Sequence, residues 1–361
     1  MRIKSLKLKN FRNYDLLSLN FDENVNIFYG DNAQGKTNIL ESVYLCGTTK
    51  SHRGTKDRDI IKFGQDEGHI ETIIEKNGIS YQIDMHLKKN SPKGIAINKV
   101  PIRKASELFG IMHIVFFSPE DLNIIKNGPS ERRRFIDLEL SQLDRVYLSD
   151  LASYNRIVNQ RNHLLKEISC KEDLADTLDI WDMQLAEYGN RVIKARENFV
   201  KEMNEILVDI HRKLTGDRED IVMCYEPSNG ETDLEEALKR NRQRDIRMRS
   251  TSVGPHRDDI CFMSKEIDLR KFGSQGQQRT AALSLKLAEI EMIKRVKKEK
   301  PVLLLDDVLS ELDKHRQNYL LDSIDDIQTL ITCTGVEEFV GHRFSVNKVY
   351  HVHNGQIIEE N

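Results

Sequence analysis

The glycine-rich segment from Gly30 to Thr37 constrains this chain more than any other feature of its sequence. It reads Gly-Asp-Asn-Ala-Gln-Gly-Lys-Thr and fits the full G-x-x-x-x-G-K-[ST] pattern of a phosphate-binding loop, or P-loop. A short apolar run precedes the loop, and a helix-compatible run follows it. Glycines at both ends let the backbone wrap closely round a polyphosphate, and the positive end of the helix faces the phosphates. The order strand, loop, helix therefore predicts that the chain binds a nucleoside triphosphate.

Individual residues of the P-loop have expected roles. Lys36 is expected to bridge the β- and γ-phosphates, and the Thr37 hydroxyl is expected to hold Mg²⁺. Arg53, in the segment after the helix, can reach phosphate or adenine, although a solvated arginine is at least as good an interpretation. The expected ATP-binding residues in this part of the chain are Gly30, Asp31, Asn32, Ala33, Gln34, Gly35, Lys36, Thr37, Asn38 and Arg53.

Composition describes a large, highly charged protein. The chain has 361 residues, of which 39% are hydrophobic and 31% charged, so more than one domain is expected. The formal net charge of −3 means that contact with nucleic acid must come from local clusters. Five scattered cysteines without a C-x-x-C argue against a disulfide framework or zinc site. With no signal-peptide pattern and no bilayer-length apolar run, we expect a cytoplasmic protein that does not bind membranes.

Periodicity predicts two kinds of structure in the first two thirds of the chain. Residues 1–20 alternate apolar and basic residues, as an edge strand does. Alternating runs on both sides of Asn77-Gly78 predict a hairpin, so residues 68–100 are expected to form a small antiparallel sheet beside the nucleotide-binding core. From Ser130, a plausible helix start, to about residue 214, apolar residues recur at threes and fours. This spacing predicts two long amphipathic helices with a break near Lys171–Asp173, forming an antiparallel arm.

A second element of the nucleotide site is expected far along the chain. The apolar run of residues 301–305 ends in Asp306-Asp307. Asp306 can reach Mg²⁺ through water, as a Walker B aspartate does, and Asp307 can polarise the attacking water. Apolar runs that end in Asp are common, so this motif is weak alone and strong beside a P-loop.

The segment Ser274-Gln275-Gly276-Gln277 leads into another predicted helix. The Ser274 hydroxyl, the Gly276 N–H and the positive end of that helix make a second phosphate-binding surface, to which we also assign Gln277. One nucleotide needs only one P-loop, so the second surface suggests a γ-phosphate held by another subunit. The alternative is simply a glutamine-rich helix start. The expected catalytic residues are Lys36, Asp307 and Ser274.

Two basic clusters border the helical region. Residues 132–134 are three arginines at its start, and the second cluster runs from Lys239 to Arg249. Arginine forks suit phosphate better than lysine does, so the second cluster is a candidate DNA-binding site. A solvated face is an equally good interpretation. The expected DNA-binding residues are Arg240, Arg242 and Arg244.

Together these motifs resemble those of ABC-type ATPases and their structural-maintenance-of-chromosomes relatives. Residues 274–277 are similar to the ABC signature motif, with Gln275 in place of its first glycine, and residues 310–313 are similar to the D-loop. Within that class the chain resembles the RecF family of bacterial recombination mediators over nearly its whole length. The segments that carry the resemblance are residues 9–14, 30–37, 118–122, 129–137, 254–259 and 305–313.

The resemblance implies an α/β fold: an ABC-type P-loop ATPase core with an antiparallel side sheet and a helical arm domain. The ATPase domain would comprise residues 1–128 and 250–361, and the arm domain residues 129–249. The implied cofactors are ATP and Mg²⁺. The implied partners are DNA (duplex and single-strand/duplex junctions), RecR, RecO and, in an ATP-dependent homodimer, a second copy. Such a protein helps load RecA at single-stranded gaps, and its weak, DNA-dependent ATP hydrolysis drives release.

The chain also departs from the wider ABC pattern. The second acid is Asp307 where ABC ATPases have glutamate, so hydrolysis is expected to be slow. Thr332-Cys333-Thr334 stands where many of them have a histidine. The Q-loop glutamine has no clear counterpart, and either Glu120 or Asp121 occupies that stretch.

Three other classes share some of these motifs. A transporter's ATP-binding subunit would lack the helical arm. A zinc-hook ATPase of double-strand-break repair would need a C-x-x-C at the tip of a long coiled coil. A small-molecule kinase would have no reason to keep the signature and D-loop motifs.

Overall fold

The computed structural model of the protein describes residues 1–168, 172–335 and 346–360. Its strands are β1 Arg2–Phe11, β2 Tyr14–Asn20, β3 Val25–Tyr29, β4 Glu67–Lys76, β5 Ile79–Lys88, β6 Gly94–Ile97, β7 Val100–Pro101, β8 Ile114–Phe117, β9 Val222–Glu226, β10 Asp259–Ser264, β11 Ile267–Asp268, β12 Val302–Asp306, β13 Thr329–Cys333, β14 Val346–His353 and β15 Gln356–Glu360. Its helices are α1 Lys36–Thr48, α2 Asp57–Ile60, α3 Leu122–Lys126, α4 Pro129–Leu143, α5 Arg145–Ile168, α6 Leu178–Thr215, α7 Leu234–Met248, α8 Leu269–Phe272, α9 Gln275–Lys297 and α10 Lys314–Ser323.

A mostly parallel sheet with the order β15-β14-β3-β13-β12-β8 carries the nucleotide motifs. Strands β14, β3, β13, β12 and β8 run parallel, and β15 pairs antiparallel with β14. Every residue of β8, β12 and β13 is buried, which explains their continuous apolar runs. β13 lies between β3 and β12, and the three strands are parallel. The P-loop, which follows β3, and Asp306, the last residue of β12, therefore lie at the same edge of the sheet, on either side of Thr332.

A second, antiparallel sheet has the order β2-β1-β4-β5-β6-β7. The predicted hairpin is confirmed: β4 and β5 pair across Asn77 and Gly78, whose φ angles of 52° and 76° suit a type I′ turn. The prediction that β1 is an edge strand is wrong, because β1 pairs with β2 on one side and β4 on the other. The alternation in β1 instead reflects one buried face, with Ile3, Leu6 and Leu8, and one face of basic residues.

In the described part of residues 129–215, the structure has three α-helices where two were predicted. The first predicted helix is interrupted at Asp144, whose carboxylate accepts a hydrogen bond from the Val146 N–H (2.7 Å) and starts α5. Helix α4 begins at Pro129, one residue before the predicted Ser130, because proline suits the first helical position. Of the predicted break, Lys171 lies outside the described residues, and a 3₁₀ turn occupies Glu172–Thr177.

Helices α5 and α6 form the predicted antiparallel pair. Their side-chain contacts run in opposite order along the two helices: Arg161 with Asp182, Asp150 with Arg191, and Tyr147 with Arg196. Within the described ranges, no helix combines the length and apolar character needed to cross a bilayer.

The chain divides into two compact units, residues 1–121 with 289–361 and residues 122–288. These bounds differ from the predicted 129–249 insertion. The second unit extends past residue 249 because β9 pairs with β10 in a register that sets Glu226 opposite Asp259. The predicted functional division at residues 129 and 249 stays a prediction.

Candidate nucleotide-binding site

The P-loop needs its glycines for reasons within the protein as well as for a phosphate. Gly30 and Gly35 have φ angles of 146° and 114°, which side chains rarely adopt. A Cβ at Gly30 would lie 2.4 Å from the backbone oxygen of Val352, and one at Gly35 would lie 2.5 Å from Asn13 Nδ2. The backbone of β14 therefore leaves no room for a side chain at Gly30, and the Asn13 side chain crowds Gly35.

Lys36 points back into the loop that precedes it. Its side chain is 4% exposed, and its ammonium donates to the backbone oxygens of Gly30 (2.5 Å) and Asp31 (3.0 Å). Both acceptors belong to the P-loop, so the cation sits inside the curve of the loop. This is where the lysine of such a loop meets β- and γ-phosphate oxygens.

Thr37 and Asp306 are joined directly. The Thr37 hydroxyl donates to Asp306 Oδ1 (2.8 Å), and the Thr332 hydroxyl donates to the same oxygen (2.7 Å). Burial raises the pKa of Asp306, although both hydroxyls favour its ionised form. Thr332, in the segment where many ABC ATPases have a histidine, is therefore a partner of the Walker B carboxylate.

The Thr37 and Asp306 oxygens suit Mg²⁺, which is usually held by one or two protein oxygens with water and substrate phosphates. Among the described residues, no group of three or more His, Cys, Asp or Glu side chains is arranged to hold a metal ion. A site that shares its ion with the nucleotide fits this arrangement, with the phosphates supplying the missing ligands.

Asp307 has a left-handed backbone, with φ of 52°. Its N–H donates to the hydroxyl (3.0 Å) and to the backbone oxygen (3.2 Å) of Thr332, which holds it in that conformation. Aspartate and asparagine tolerate left-handed φ better than most other side chains. The backbone therefore offers a physical reason why this position is aspartate where ABC ATPases have glutamate.

Three residues that sequence reasoning missed support the P-loop from outside. Asn13 donates to the Gln34 oxygen (2.9 Å), and the Tyr14 hydroxyl donates to the Gly35 oxygen (3.1 Å). The Asn354 N–H donates to Gln34 Oε1 (2.6 Å). Asn13 and Tyr14 belong to the segment 9–14 that carries the family resemblance, and that was their only sequence signal.

Arg53 lies beside α1, on a segment tied down by a buried carboxylate. Glu41 is fully buried. It accepts hydrogen bonds from Arg12 Nη2 (2.7 Å), from Arg12 Nε (2.8 Å) and from the Ser51 hydroxyl (2.5 Å). Burial opposes its ionisation, but these bonds outweigh it, so the pKa of Glu41 is lowered. Arg53 Nη1 approaches Asn38 Oδ1 at 3.4 Å. The P-loop helix and Arg53 therefore share one supporting network.

The two candidates for the Q-loop position differ in availability. Asp121 Oδ2 accepts the Ser118 N–H (2.7 Å) and so closes a turn, whereas Glu120 is exposed. The turn follows β8, the neighbour of β12 in the sheet. Glu120 is therefore the better candidate for a metal or water contact.

The signature-like residues lie in the second unit, at the start of α9. The Gln277 N–H donates to Ser274 Oγ (3.2 Å) while Gln277 Oε1 accepts from the Ser274 N–H (2.9 Å). This reciprocal pair is a capping box. Gln277 also donates to Glu219 (3.1 Å), so its side chain is committed to the fold. Ser274, Gln275 and Gly276 are exposed, and the Ser274 hydroxyl hydrogen is not used in the box.

The predicted DNA-binding arginines have different surroundings. Arg242 pairs with Asp179 (2.5 Å) and with the fully buried Asp182 (2.7 Å). Arg240 makes an exposed pair with Glu236 (2.8 Å), and Arg244 is exposed. The Arg242 ion pairs thus hold α7 against α6. Of the three predicted DNA-binding arginines, Arg240 and Arg244 are the ones exposed to solvent and accessible to DNA.

Comparison with known proteins agrees with this geometry. Residues 2–357 match the sequence model of the RecF/RecN/SMC N terminal domain family. The chain is 61% identical to the DNA replication and repair protein RecF of Lachnospira eligens, over 100% of both chains. It is 63% identical to the RecF protein of Agathobacter rectalis, over 99% of both. A solved structure of the recombination mediator protein RecF with ATP, from the RecFOR pathway, superimposes with a TM-score of 0.93 at 35% identity. That match covers 99% of this chain and 97% of the other.

Proposed function

Because this chain belongs to the RecF family of DNA replication and repair proteins, we propose that it is an ATP-dependent DNA-binding protein of recombinational repair. It dimerises on ATP and DNA and helps load RecA at single-stranded gaps. Its slow ATP hydrolysis then drives its release. The observation that carries the proposal is the hydrogen bond between Thr37 and Asp306, because it joins the P-loop to the Walker B strand in one Mg²⁺-binding arrangement.

The first unit supplies one face of the reaction site. Lys36 compensates charge on the β- and γ-phosphates, and Thr37 and Asp306 would hold Mg²⁺, which would offset phosphate charge. Asp307 accepts a proton from, or orients, the water that attacks the γ-phosphorus. Its short side chain on a left-handed backbone places the carboxylate differently from a glutamate, and this supports the proposal that ATPase turnover is slow and weak.

The second unit supplies the other face from a second copy of the chain. The Ser274 hydroxyl hydrogen, the Gly276 N–H and the positive end of α9 can bind the γ-phosphate on the partner's P-loop. In a two-fold dimer each copy gives this surface once and receives it once. ATP therefore bridges the two copies, and hydrolysis removes the bridging phosphate.

DNA binding is assigned to the basic side chains of α7, with Arg240 and Arg244 as phosphate contacts. The preferred substrate is duplex next to a single-stranded gap. RecR and RecO are the proposed protein partners, since the solved RecF structure belongs to the RecFOR pathway. We assign the protein to the cytoplasm, where these partners and the chromosome are accessible.

The proposal is tested by sedimentation of the parent protein and two arginine variants with Mg²⁺ and ATP, ADP or no nucleotide. Ser274→Arg should bind ATP as a monomer but fail to dimerise, because the added side chain occupies the phosphate surface. Ser149→Arg, on an exposed position of α5, carries the same added charge and should dimerise like the parent. A parent that is equally dimeric without nucleotide, or a dimeric Ser274→Arg, would refute the mechanism.

A further inference from the structure

Two segments that carry the family resemblance, residues 129–137 and 254–259, have no part in the P-loop chemistry, yet they meet in the second unit. Arg132 of α4 donates to both oxygens of Asp259, from Nε (2.7 Å) and Nη2 (3.1 Å). Its Nη1 donates to the backbone oxygen of Asn127 (2.6 Å). Arg132 is 1% exposed, so it anchors α4 to β10 and is not available to DNA.

Asp259 holds a second arginine as well. Arg270 of α8 donates from Nη1 to Asp259 Oδ2 (3.2 Å) and from Nη2 to Asp268 Oδ2 (3.2 Å). Burial opposes ionisation of Asp259, but its bond to Arg132 and the charges of Arg132 and Arg270 outweigh it, so the pKa of Asp259 is lowered. One carboxylate thus fixes α8 relative to α4 and β10.

The position of α8 determines the position of Ser274. The Leu269 backbone oxygen accepts both the Gly273 N–H (3.1 Å) and Gln278 Nε2 (2.8 Å), the latter from inside α9. A Cβ at Gly273 would lie 2.5 Å from that oxygen, so this connection leaves no room for a side chain. The two residues between α8 and α9 are therefore held at both ends, and a shift of α8 would move Ser274.

We propose that Arg270, acting through Asp259, is a positioning residue that orients Ser274 and the start of α9 toward the nucleotide on a second copy of the chain. The inference rests on the proposed function. It also gives the segments 129–137 and 254–259 a role: they form the fixed support against which the γ-phosphate surface is aligned. In this role Arg270 acts through Asp259 and not on the nucleotide, so its effect should appear in dimerisation and not in ATP binding by the monomer.

The test is Arg270→Ala, because Arg270 is partly exposed and its loss leaves the Arg132–Asp259 pair intact. With Mg²⁺ and ATP, its dimer dissociation constant in sedimentation should rise about tenfold, an ordinary coupling within one hydrogen-bonded network. Monomer ATP affinity should match the parent, any fall in melting temperature should be small because Asp259 keeps Arg132, and Arg270→Lys should recover part of the loss in dimerisation. The matched control is Lys271→Ala, which removes a more exposed charge from the same short helix.

A double-mutant cycle separates the route through Asp259 from the bond to Asp268. If Asp259 carries the effect, Arg270→Ala should weaken the dimer in an Asp268→Asn background but add little in an Asp259→Asn background. The inference would be overturned if Arg270→Ala dimerised like the parent, or if Lys271→Ala lost dimerisation equally. If Ser274→Arg is monomeric in the same experiments, the proposed function still stands. A parent that does not dimerise with ATP overturns both.

Discussion

Asp306 illustrates how a residue of the proposed nucleotide site can lower the stability of the nucleotide-free protein. Its carboxylate is nearly buried between two threonine hydroxyls, and burial raises its pKa because the charged form is poorly solvated. Bound Mg²⁺ would compensate that charge. The residue therefore suits the nucleotide-bound protein better than the free one.

Asp306→Asn should stabilise the nucleotide-free protein, since an amide oxygen can still accept both hydroxyls and the buried charge is gone. A gain of about 1 kcal/mol corresponds to a rise in melting temperature of roughly 2–4 °C for a folding unit of about 150–250 residues, the size class of the first unit. The further rise on adding Mg²⁺ and ATP should shrink. Asp307→Asn, next in the chain and less buried, is the control and should show no such gain. A lower melting temperature for Asp306→Asn would contradict the argument.

The stability difference between Asp306→Asn and the parent should depend on pH with a definite sign. Because the folded-state pKa of Asp306 is raised, its contribution to stability is present at pH below the unfolded value and is lost as pH rises through the folded pKa. The stability advantage of Asp306→Asn should therefore be small near about pH 4 and larger near about pH 7. Chemical denaturation of both proteins at several pH values measures it, and an advantage that shrinks with rising pH would exclude this cause.

The arginines of helix α7 have two kinds of surroundings. Arg242 neutralises Asp182, which also pairs with the fully buried Arg161, and Arg161 reaches Asp245 of α7 at 2.7 Å. Arg240 and Arg244 lie four residues apart, on one side of the helix. The basic run that looks uniform in sequence therefore has a packed part and an exposed part.

Replacing the two kinds of arginine should separate folding from DNA binding. Arg240→Ala with Arg244→Ala should leave the melting temperature unchanged and reduce the salt slope of duplex binding by about 1.8, at about 0.9 per phosphate contact. The control is Arg191→Ala on α6, which should not change the slope. An unaltered slope in the double variant would show that this side of α7 is only a solvated face.

Arg242→Ala should instead destabilise the fold by roughly 2 kcal/mol. That is less than the loss of a sole buried partner, because Asp182 keeps Arg161. Thermal denaturation measures the loss, and a parent-like melting temperature would show that the Arg242 pairs are weak surface interactions.

For the whole molecule, the proposed two-sided site links ATP affinity to protein concentration. A nucleotide held by two copies binds more tightly than one held by a single P-loop, and linkage requires ATP to strengthen the dimer by the same factor. The half-saturating ATP concentration of the parent should therefore fall as protein concentration rises. For Ser274→Arg, the half-saturating ATP concentration should not depend on protein concentration. The half-saturating ADP concentration of the parent should not depend on it either. A constant value for the parent would rule out a shared nucleotide.

The sequence alone determined the parts whose physics is local. A P-loop needs glycines, lysine and threonine at fixed spacing, a type I′ hairpin needs residues such as Asn77-Gly78, and an amphipathic helix needs its apolar period. These patterns predicted the side sheet and the antiparallel helices correctly. They also predict the residues of the nucleotide half-site, and that assignment stays a prediction. The family resemblance over most of the chain then identified what such a half-site belongs to.

Only the tertiary structure decided what each charged or polar side chain does. Arg132 and Arg242 look like their neighbours in sequence, but their carboxylate partners lie 127 and 60 positions away. Thr332 became a partner of Asp306 because β13 lies between β3 and β12, and β1 became an inner strand because β2 folds back on it. A charge or hydroxyl takes its role from whatever the fold brings within hydrogen-bonding distance, and no local pattern specifies that partner.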